Sequence, residues 1–522
     1  MKPIFADCNK RRREEESDRS DEIPVRPAFQ VRRDDSCYRW MDSASPLLLL
    51  KKLAPSLLAL TLAGCSVGPD YRASAPATPA AWSIDSGRQA GTATWWTTFH
   101  DPLLDQLVAQ AQARNLDLRL AQARLREIRA QYGVTRSQIG PEVAATGGVN
   151  RARTSEAQAQ PGVDNPRTTW QAGFDASWEI DIFGGTRRAI EAAGAEVEQE
   201  EYRVGDVLVS IVAETVSAYL DLRAADERLA ALDQVLSAQA QLRDRVQRRV
   251  TAGLADPSEL AQAEADLAGT TTRVAPVQVA RVQALNRLAL VVGELPTAPP
   301  GNQPHLLSTP GLHDSGKVPD PTLGLAPGLP SELLLRRPDL RLAERAMAAA
   351  SARVGVAKSD FFPKFALLGS FGWSAGSTDN LFTAANQGWS IGPSLRWPLF
   401  ASGRIANEVK AADARLEQAG LRYERVVLQA AGEVENALVR TSRSRERVAA
   451  ASTALAARER ATDLARRRFD RGLADVSSVL EQERLLADAR SQLVDARLEQ
   501  GQALTALAKA LGGGWDETFA KK

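Results

Sequence analysis

The sequence predicts a mainly α-helical fold carrying membrane-type β-strands, assembled from two copies of one long half-repeat. Three observations predict it. The first is duplication. Asp117-Leu118-Arg119-Leu120-Ala121 returns 222 residues later as Asp339-Leu340-Arg341-Leu342-Ala343, and Gly253-Leu254-Ala255-Asp256 returns 219 residues later as Gly472-Leu473-Ala474-Asp475. Solenoid units repeat every 20–50 residues or so, so a period this long is a whole structural half. The second is period-two alternation edged by tryptophan, from Trp170 to Ile180 and from Trp389 to Trp397. The third is helix length. No proline interrupts Thr186 to Val250 or Arg404 to Phe469. At 1.5 Å per residue each stretch would run roughly 100 Å, which implies a coiled coil or a helical barrel.

Composition sets the outer bounds. The chain has 522 residues, 44% hydrophobic and 25% charged, with net charge +1. Nucleic-acid binding usually needs a basic face, and near-neutral charge gives no support for one. A mean hydropathy of −0.26 is too polar for a bundle of membrane-spanning helices, and no long apolar run follows residue 65.

The N-terminal region reads as a leader. Arg11-Arg12-Arg13-Glu14-Glu15-Glu16 sits within it, and Met41 is a second candidate start. Lys51-Lys52 resembles a basic n-region, Leu53 to Leu62 an apolar h-region, and Leu62-Ala63-Gly64-Cys65 a lipoprotein cleavage site. A short core helix with a chance cysteine is the plainer alternative. On the lipoprotein reading residues 1–64 are removed and Cys65 is lipidated. Two acyl chains anchor stably where one would not. Cys8 and Cys37 fall in the leader, so the mature chain would hold no free thiol for catalysis, disulfides or metal.

Each half then reads helix, strand, strand, long helix, turn, helix. Leu118, Ala121, Leu125, Ile128 and Tyr132 step by 3, 4, 3, 4, and Leu340, Ala343, Met347, Ala350 and Val354 repeat the steps. That is a coiled-coil seam, with Pro141 and Pro363 ending the two helices. Strands follow, from Val143 to Arg153 and around Phe365 to Trp373 as well as the two named above. Trp170, Phe174, Trp178, Trp389, Leu395 and Trp397 are expected to face lipid, and Gln171, Asp175, Ser177 and Arg396 the lumen. Alternation with aromatic girdles suits a transmembrane barrel. A half-buried sheet in a soluble domain shows the same period, but the lipoprotein start and the polar second face favour the barrel. Polar loops at 154–168 and 375–387 join the strand pairs. In the long helices Val427, Ala431, Val434 and Leu438 again step by 4, 3, 4. Gly253 and Gly472 suit left-handed positions after them. Asp256-Pro257-Ser258-Glu259 reads as N-cap, N1 proline and capping-box glutamate. Between the halves, residues 296–330 hold nine of the 27 prolines and read as an extended linker.

Catalytic motifs fail on context. Gly388-Trp389-Ser390-Ile391-Gly392 has the spacing of a nucleophile elbow, but that chemistry needs a later histidine. His100, His305 and His313 all precede Ser390. Gly311 to Lys317 has the spacing of a phosphate loop, yet position 318 is valine, without the hydroxyl that holds Mg²⁺. His305 and His313 share the linker with no companion ligands. No catalytic site, metal or cofactor is expected.

These residues together resemble the TolC-like outer-membrane factors, in particular the lipoprotein branch of efflux outer-membrane proteins. The marks are Cys65-Ser66-Val67-Gly68-Pro69-Asp70-Tyr71, Trp95-Trp96 with Phe99 and Asp101, Trp178-Glu179-Ile180-Asp181-Ile182-Phe183-Gly184, and Leu335-Arg336-Arg337-Pro338-Asp339-Leu340-Arg341 followed by Ala343-Glu344. The resemblance covers nearly all of 65–512. It implies a homotrimer whose four strands per protomer close a twelve-stranded β-barrel above a long α-helical coiled-coil barrel. It implies a passive exit duct in the bacterial outer membrane, lipid-anchored, with a long periplasmic extension. A periplasmic adaptor and, through it, a proton-driven inner-membrane pump would pass drugs, metals or other small molecules to this duct.

The same resemblance places adaptor contacts at Gly253, Leu254 and Ala255 and at Gly472, Leu473 and Ala474. It places a periplasmic gate near Glu481, Ser478 and Glu259, where three copies of Glu481 would raise one another's pKa. A solvated helix face remains the alternative for Glu481, and simple capping for Glu259. The expected domains are 1–64 leader, 65–98 anchored segment, 99–296 first repeat, 297–330 linker, 331–512 second repeat and 513–522 tail. The rival functions are the exit channel of a protein-secretion system and a periplasmic coiled-coil adaptor or scaffold lipoprotein. The lipoprotein start argues against the first, and the tryptophan-edged strand pairs against the second.

Overall fold

A computed structural model describes residues 66–73, 81–83, 93–158, 162, 164–296, 309–312, 314, 316–321 and 336–516. Cys65 and its leader lie outside the described residues, as do most of the proline-rich linker and the end of the tail.

A 3-10 turn at Trp95–Phe99 leads into α1 (Pro102–Arg114) and α2 (Leu116–Ser137). Asp101 and Asn115 start these helices by accepting backbone N–H groups two and three residues on, satisfying donors that a helix start leaves orphaned. Strands β1 (Glu142–Ala152) and β2 (Arg167–Ile180) follow, then α3 (Gly185–Thr251). Helices α4 (Pro257–Thr272) and α5 (Val274–Val292) complete the first half. The second half is α6 (Pro338–Ser359), β3 (Lys364–Ala375), β4 (Gln387–Arg396), α7 (Arg404–Asp470) and α8 (Val476–Ala510).

Helices α3 and α7 have 67 residues each, matching the proline-free stretches closely. The seams predicted for α2 and α6 are buried at Leu118, Ala121 and Leu125 and at Leu340, Met347, Ala350 and Val354. Helices α2 and α6 stop at Ser137 and Ser359, four residues before Pro141 and Pro363. A proline ring clashes with the carbonyl four residues back and supplies no N–H, so the helix stops there. Proline also decides one departure from the repeat. The sequence predicts a single helix after each tip, and the second half has one, α8. In the first half the helix divides at Arg273. Pro276 withholds the N–H that Thr272 O would have accepted; position 495, its counterpart 219 residues on, is aspartate.

The sheet runs β1-β2-β3-β4, antiparallel throughout. The two halves meet at β2–β3, with Phe174 opposite Phe371 and Asp175 opposite Ser370. Among the described residues, both outer strands leave an unpaired edge. Every residue of β1 is exposed, so within one protomer the sheet has no core of its own. The core lies instead among the helices. Trp95, Leu104, Leu107, Tyr219, Leu220 and Leu288 pack the middle of α3 against α1 and α5. Met347, Tyr423, Val427, Val434, Leu438 and Leu507 join α6, α7 and α8.

Candidate functional site

Strand register sorts the sheet into two faces. Pairing carries one face from Val143, Ala145 and Val149 through Trp170, Phe174 and Trp178 to Phe365, Leu367 and Phe371, and on to Trp389, Ile391 and Leu395. The opposite face carries Thr146, Gln171, Asp175, Ser177, Ser370, Ser374, Ser390 and Arg396, with Leu368 as its large apolar exception. Because side chains alternate strictly, five of the six positions expected to face lipid, Trp170, Phe174, Trp178, Trp389 and Leu395, share one side. Phe174, Trp178, Trp389 and Leu395 are exposed there, and Trp170 is half-buried. Trp397 lies one residue beyond β4, so it belongs to the strand-to-helix turn rather than to the strand.

The indoles of Trp178 and Trp397 do matching work. Trp178 Nε1 donates to Ile139 O at 2.9 Å, and Trp397 Nε1 donates to Phe361 O at 3.1 Å. Each ring lies in the open while its N–H ties a strand end to the preceding helix end. An apolar ring with a satisfied polar tip suits a membrane–water boundary.

The N-terminal segment lies against this same junction. Val67 N donates to Phe183 O at 3.2 Å. Arg188, whose side chain is nearly buried, donates to Val67 O, Gly68 O and Asp70 and also pairs with Glu191. Gly68 has φ +108° and would drive a Cβ to 2.4 Å from Gly355 Cα, so this position requires glycine. Further down, Tyr71 donates to Glu344 and Ser83 to Glu435. The segment therefore follows the helices away from the sheet. The motif Arg337-Pro338-Asp339 is explained likewise. Arg337 forks onto Asp339 and reaches Glu433 and Ala510 O. Asp101 both caps α1 and accepts from Tyr219, whose phenol burial pushes above its ordinary range, with the Asp101 bond adding to the rise.

At the far end of the long helices the two turns share one small core. Leu242 and Val246 of α3, Ala263 of α4, Phe469 of α7 and Val476, Val479 and Leu480 of α8 pack together. Arg249 lies over the Phe469 ring at 5.0 Å, and Arg245 pairs with Asp470 at 3.2 Å. Gly253 and Gly472 both have φ +70°. Leu254 and Leu473 are 70% and 65% exposed, so each tip presents a leucine outward. Ala255 and Ala474 behind them are half-buried. Asp256 accepts from Ser258 N at 2.7 Å, while Glu259 enters the cap through its backbone N–H to Asp256 O. Asp475 makes no side-chain cap; the Ser478 hydroxyl donates to Asp475 O instead.

Glu481 is exposed on α8 and carries a partner that the sequence reading passed over. Arg484 forks onto both carboxylate oxygens, at 3.0 and 3.1 Å. This hydrogen bonding holds the carboxyl below its ordinary range, where a bare acidic position among its copies would be raised. The i,i+3 spacing of glutamate and arginine on one helix was the available signal.

Comparison with known proteins agrees with this architecture. The model of a family described as outer membrane efflux protein matches residues 107–294 and 329–513, one segment in each half. The cation efflux system protein CusC of Escherichia coli O6:H1 is 29% identical, over 89% of this chain and 99% of that protein. Outer membrane protein OprJ of Pseudomonas aeruginosa is 30% identical, over 88% of this chain and 95% of that protein. Among solved structures, the outer-membrane channel OprN superposes with a TM-score of 0.77 at 33% identity, covering 86% of this chain and all of that one.

Proposed function

The chain belongs to the outer membrane efflux protein family, and from that premise we propose that three copies form the exit duct of a tripartite pump, with Cys65 as the lipid anchor. Outer-membrane efflux is the function of the family, and the mode of action is that of a channel rather than an enzyme. The observation that carries the proposal is the four-stranded sheet, apolar on one face and polar on the other, with both edges unpaired among the described residues. An open edge is a pairing template, and only closure removes it. Three sheets in a ring give twelve strands, apolar outside and polar inside, as a bilayer demands.

The long helices then project into the periplasm. The exposed Leu254 and Leu473 are the surfaces offered to a periplasmic adaptor, and the residues around Glu481, Ser478 and Glu259 form the gate. An inner-membrane pump driven by protons supplies the energy through that adaptor. The cargo is small molecules; the relatives' names cover cations, solvents and antibiotics, and the pump selects among them. The test replaces Leu254 and Leu473 together by Asp in cells that supply the cognate adaptor and pump. Trimer yield should persist while dye export falls to the level of cells lacking the channel. Undiminished export with both tips altered would remove them from the docking surface.

A further inference from the structure

The polar face of the sheet carries its charges in bands, and the pattern points to a selectivity element inside the barrel. Following the register, Asp175 lies in a row with Ser370 and Ser390. Thr146, one row outward, donates to the Asp175 carboxylate at 3.0 Å, and the Ser370 and Ser390 hydroxyls bond each other at 2.8 Å. Oxygen atoms therefore dominate this belt. The next row outward is Thr146, Gly173, Gly372 and Gly388, three of them without a side chain. Gly173 and Gly372 approach so closely that a Cβ on Gly173 would meet Phe371 O at 2.6 Å. No large side chain stands in that row.

The other charges on this face are Glu142 one row inward, Glu179 two rows inward, Lys364 and Arg396 three rows inward, and Arg167 four rows outward. Lys364 already pairs with Asp360 at 3.0 Å. Glu142, Asp175 and Glu179 are exposed and have no ion pair among the described residues. The middle of the wall is thus acidic, and among the described residues this face has no cation between the Arg167 row and the Lys364–Arg396 row.

We propose that Asp175 is a specificity-determining residue of the barrel lumen, making its mid-section favour cationic over anionic solutes independently of the periplasmic gate. The inference rests on the trimeric channel reading above. Twelve strands spaced about 4.8 Å apart make a wall of radius roughly 10 Å, before strand tilt widens it. The Debye length is about 30 Å at 0.01 M salt and about 3 Å at 1 M. Three carboxylates on that wall therefore act on the axis in dilute salt and are silent in concentrated salt. Rings of acidic side chains select cations in this way.

The experiment is the reversal potential of the full-length channel in planar bilayers, with KCl gradients centred near 10 mM and near 1 M. Asp175→Asn should lower the potassium-to-chloride permeability ratio by roughly threefold at low salt, and negligibly at high salt. Ser370→Lys places a cation directly opposite Asp175 and should lower the ratio at least as far. This second variant decides the question if Asp175→Asn fails to assemble. Conducting variants that both keep the wild-type ratio at 10 mM overturn the inference alone. A wild-type protein that passes no current overturns the channel reading beneath it.

Discussion

At Gly253 and Gly472 the backbone is left-handed, and a Cβ added at either would meet nothing within 4 Å. Space is therefore not the constraint; backbone conformation is. Gly472→Ala should cost about 1–2 kcal/mol of local stability, read as faster amide exchange in the 470–476 turn with the α7–α8 body unaffected. An unchanged exchange rate there would mean that the turn relaxes freely. A pH prediction follows from Glu481. Its folded-state carboxyl lies lower than its unfolded one because Arg484 bonds it. A lowered carboxyl contributes its interaction above the unfolded pKa and loses it as pH falls through the folded value. The pair should thus persist unchanged from pH 7 to pH 5, which a carboxylate-specific NMR titration would check. A midpoint at or above the ordinary glutamate value would contradict the pairing. Residues of this kind were unevenly legible. The turn glycines announce themselves by repeating, and Arg484 stands three residues from Glu481. For Arg188 only Glu191 stands at a legible spacing; its bonds to the N-terminal segment gave no signal, because Asp70 is 118 residues away.

At the scale of elements, the two faces of the sheet make opposite predictions for one kind of substitution. Phe174 stands on the apolar face between Ala145 and Phe371, while Ser177 stands on the polar face between Glu142 and Leu368. An arginine on a lipid-facing mid-membrane position costs about 2–4 kcal/mol. Phe174→Arg should reduce the yield of assembled protein in outer membranes, and Ser177→Arg should leave yield near wild type while altering conductance. Equal yields would argue against this assignment of faces. Element lengths were the most legible part of the fold. The 67-residue helices follow from missing prolines and sustained seams, and strand faces follow from alternation. The division of the first post-tip helix was written in Pro276 but hidden by treating the halves as identical. The indole bonds of Trp178 and Trp397 were not legible, since alternation tells which face a ring takes and nothing about its N–H.

For the whole molecule, duplication and closure are one argument. Two half-repeats supply four strands, and β2–β3 pairing joins them within a protomer. The edges β1 and β4 have no such partner among the described residues, and the sheet buries little of itself. Exposed Leu421, Leu428 and Leu464 along α7 repeat the point for the helices. A single protomer is therefore incomplete on both its sheet edges and its helical surface, and the account requires a closed trimer. The most direct measurement is electrophoresis of outer-membrane extract in mild detergent, with and without heating. The account predicts a species near three times the protomer mass that converts to protomer only on heating. Protomer alone in the unheated extract, with the protein present in the outer membrane, would contradict it.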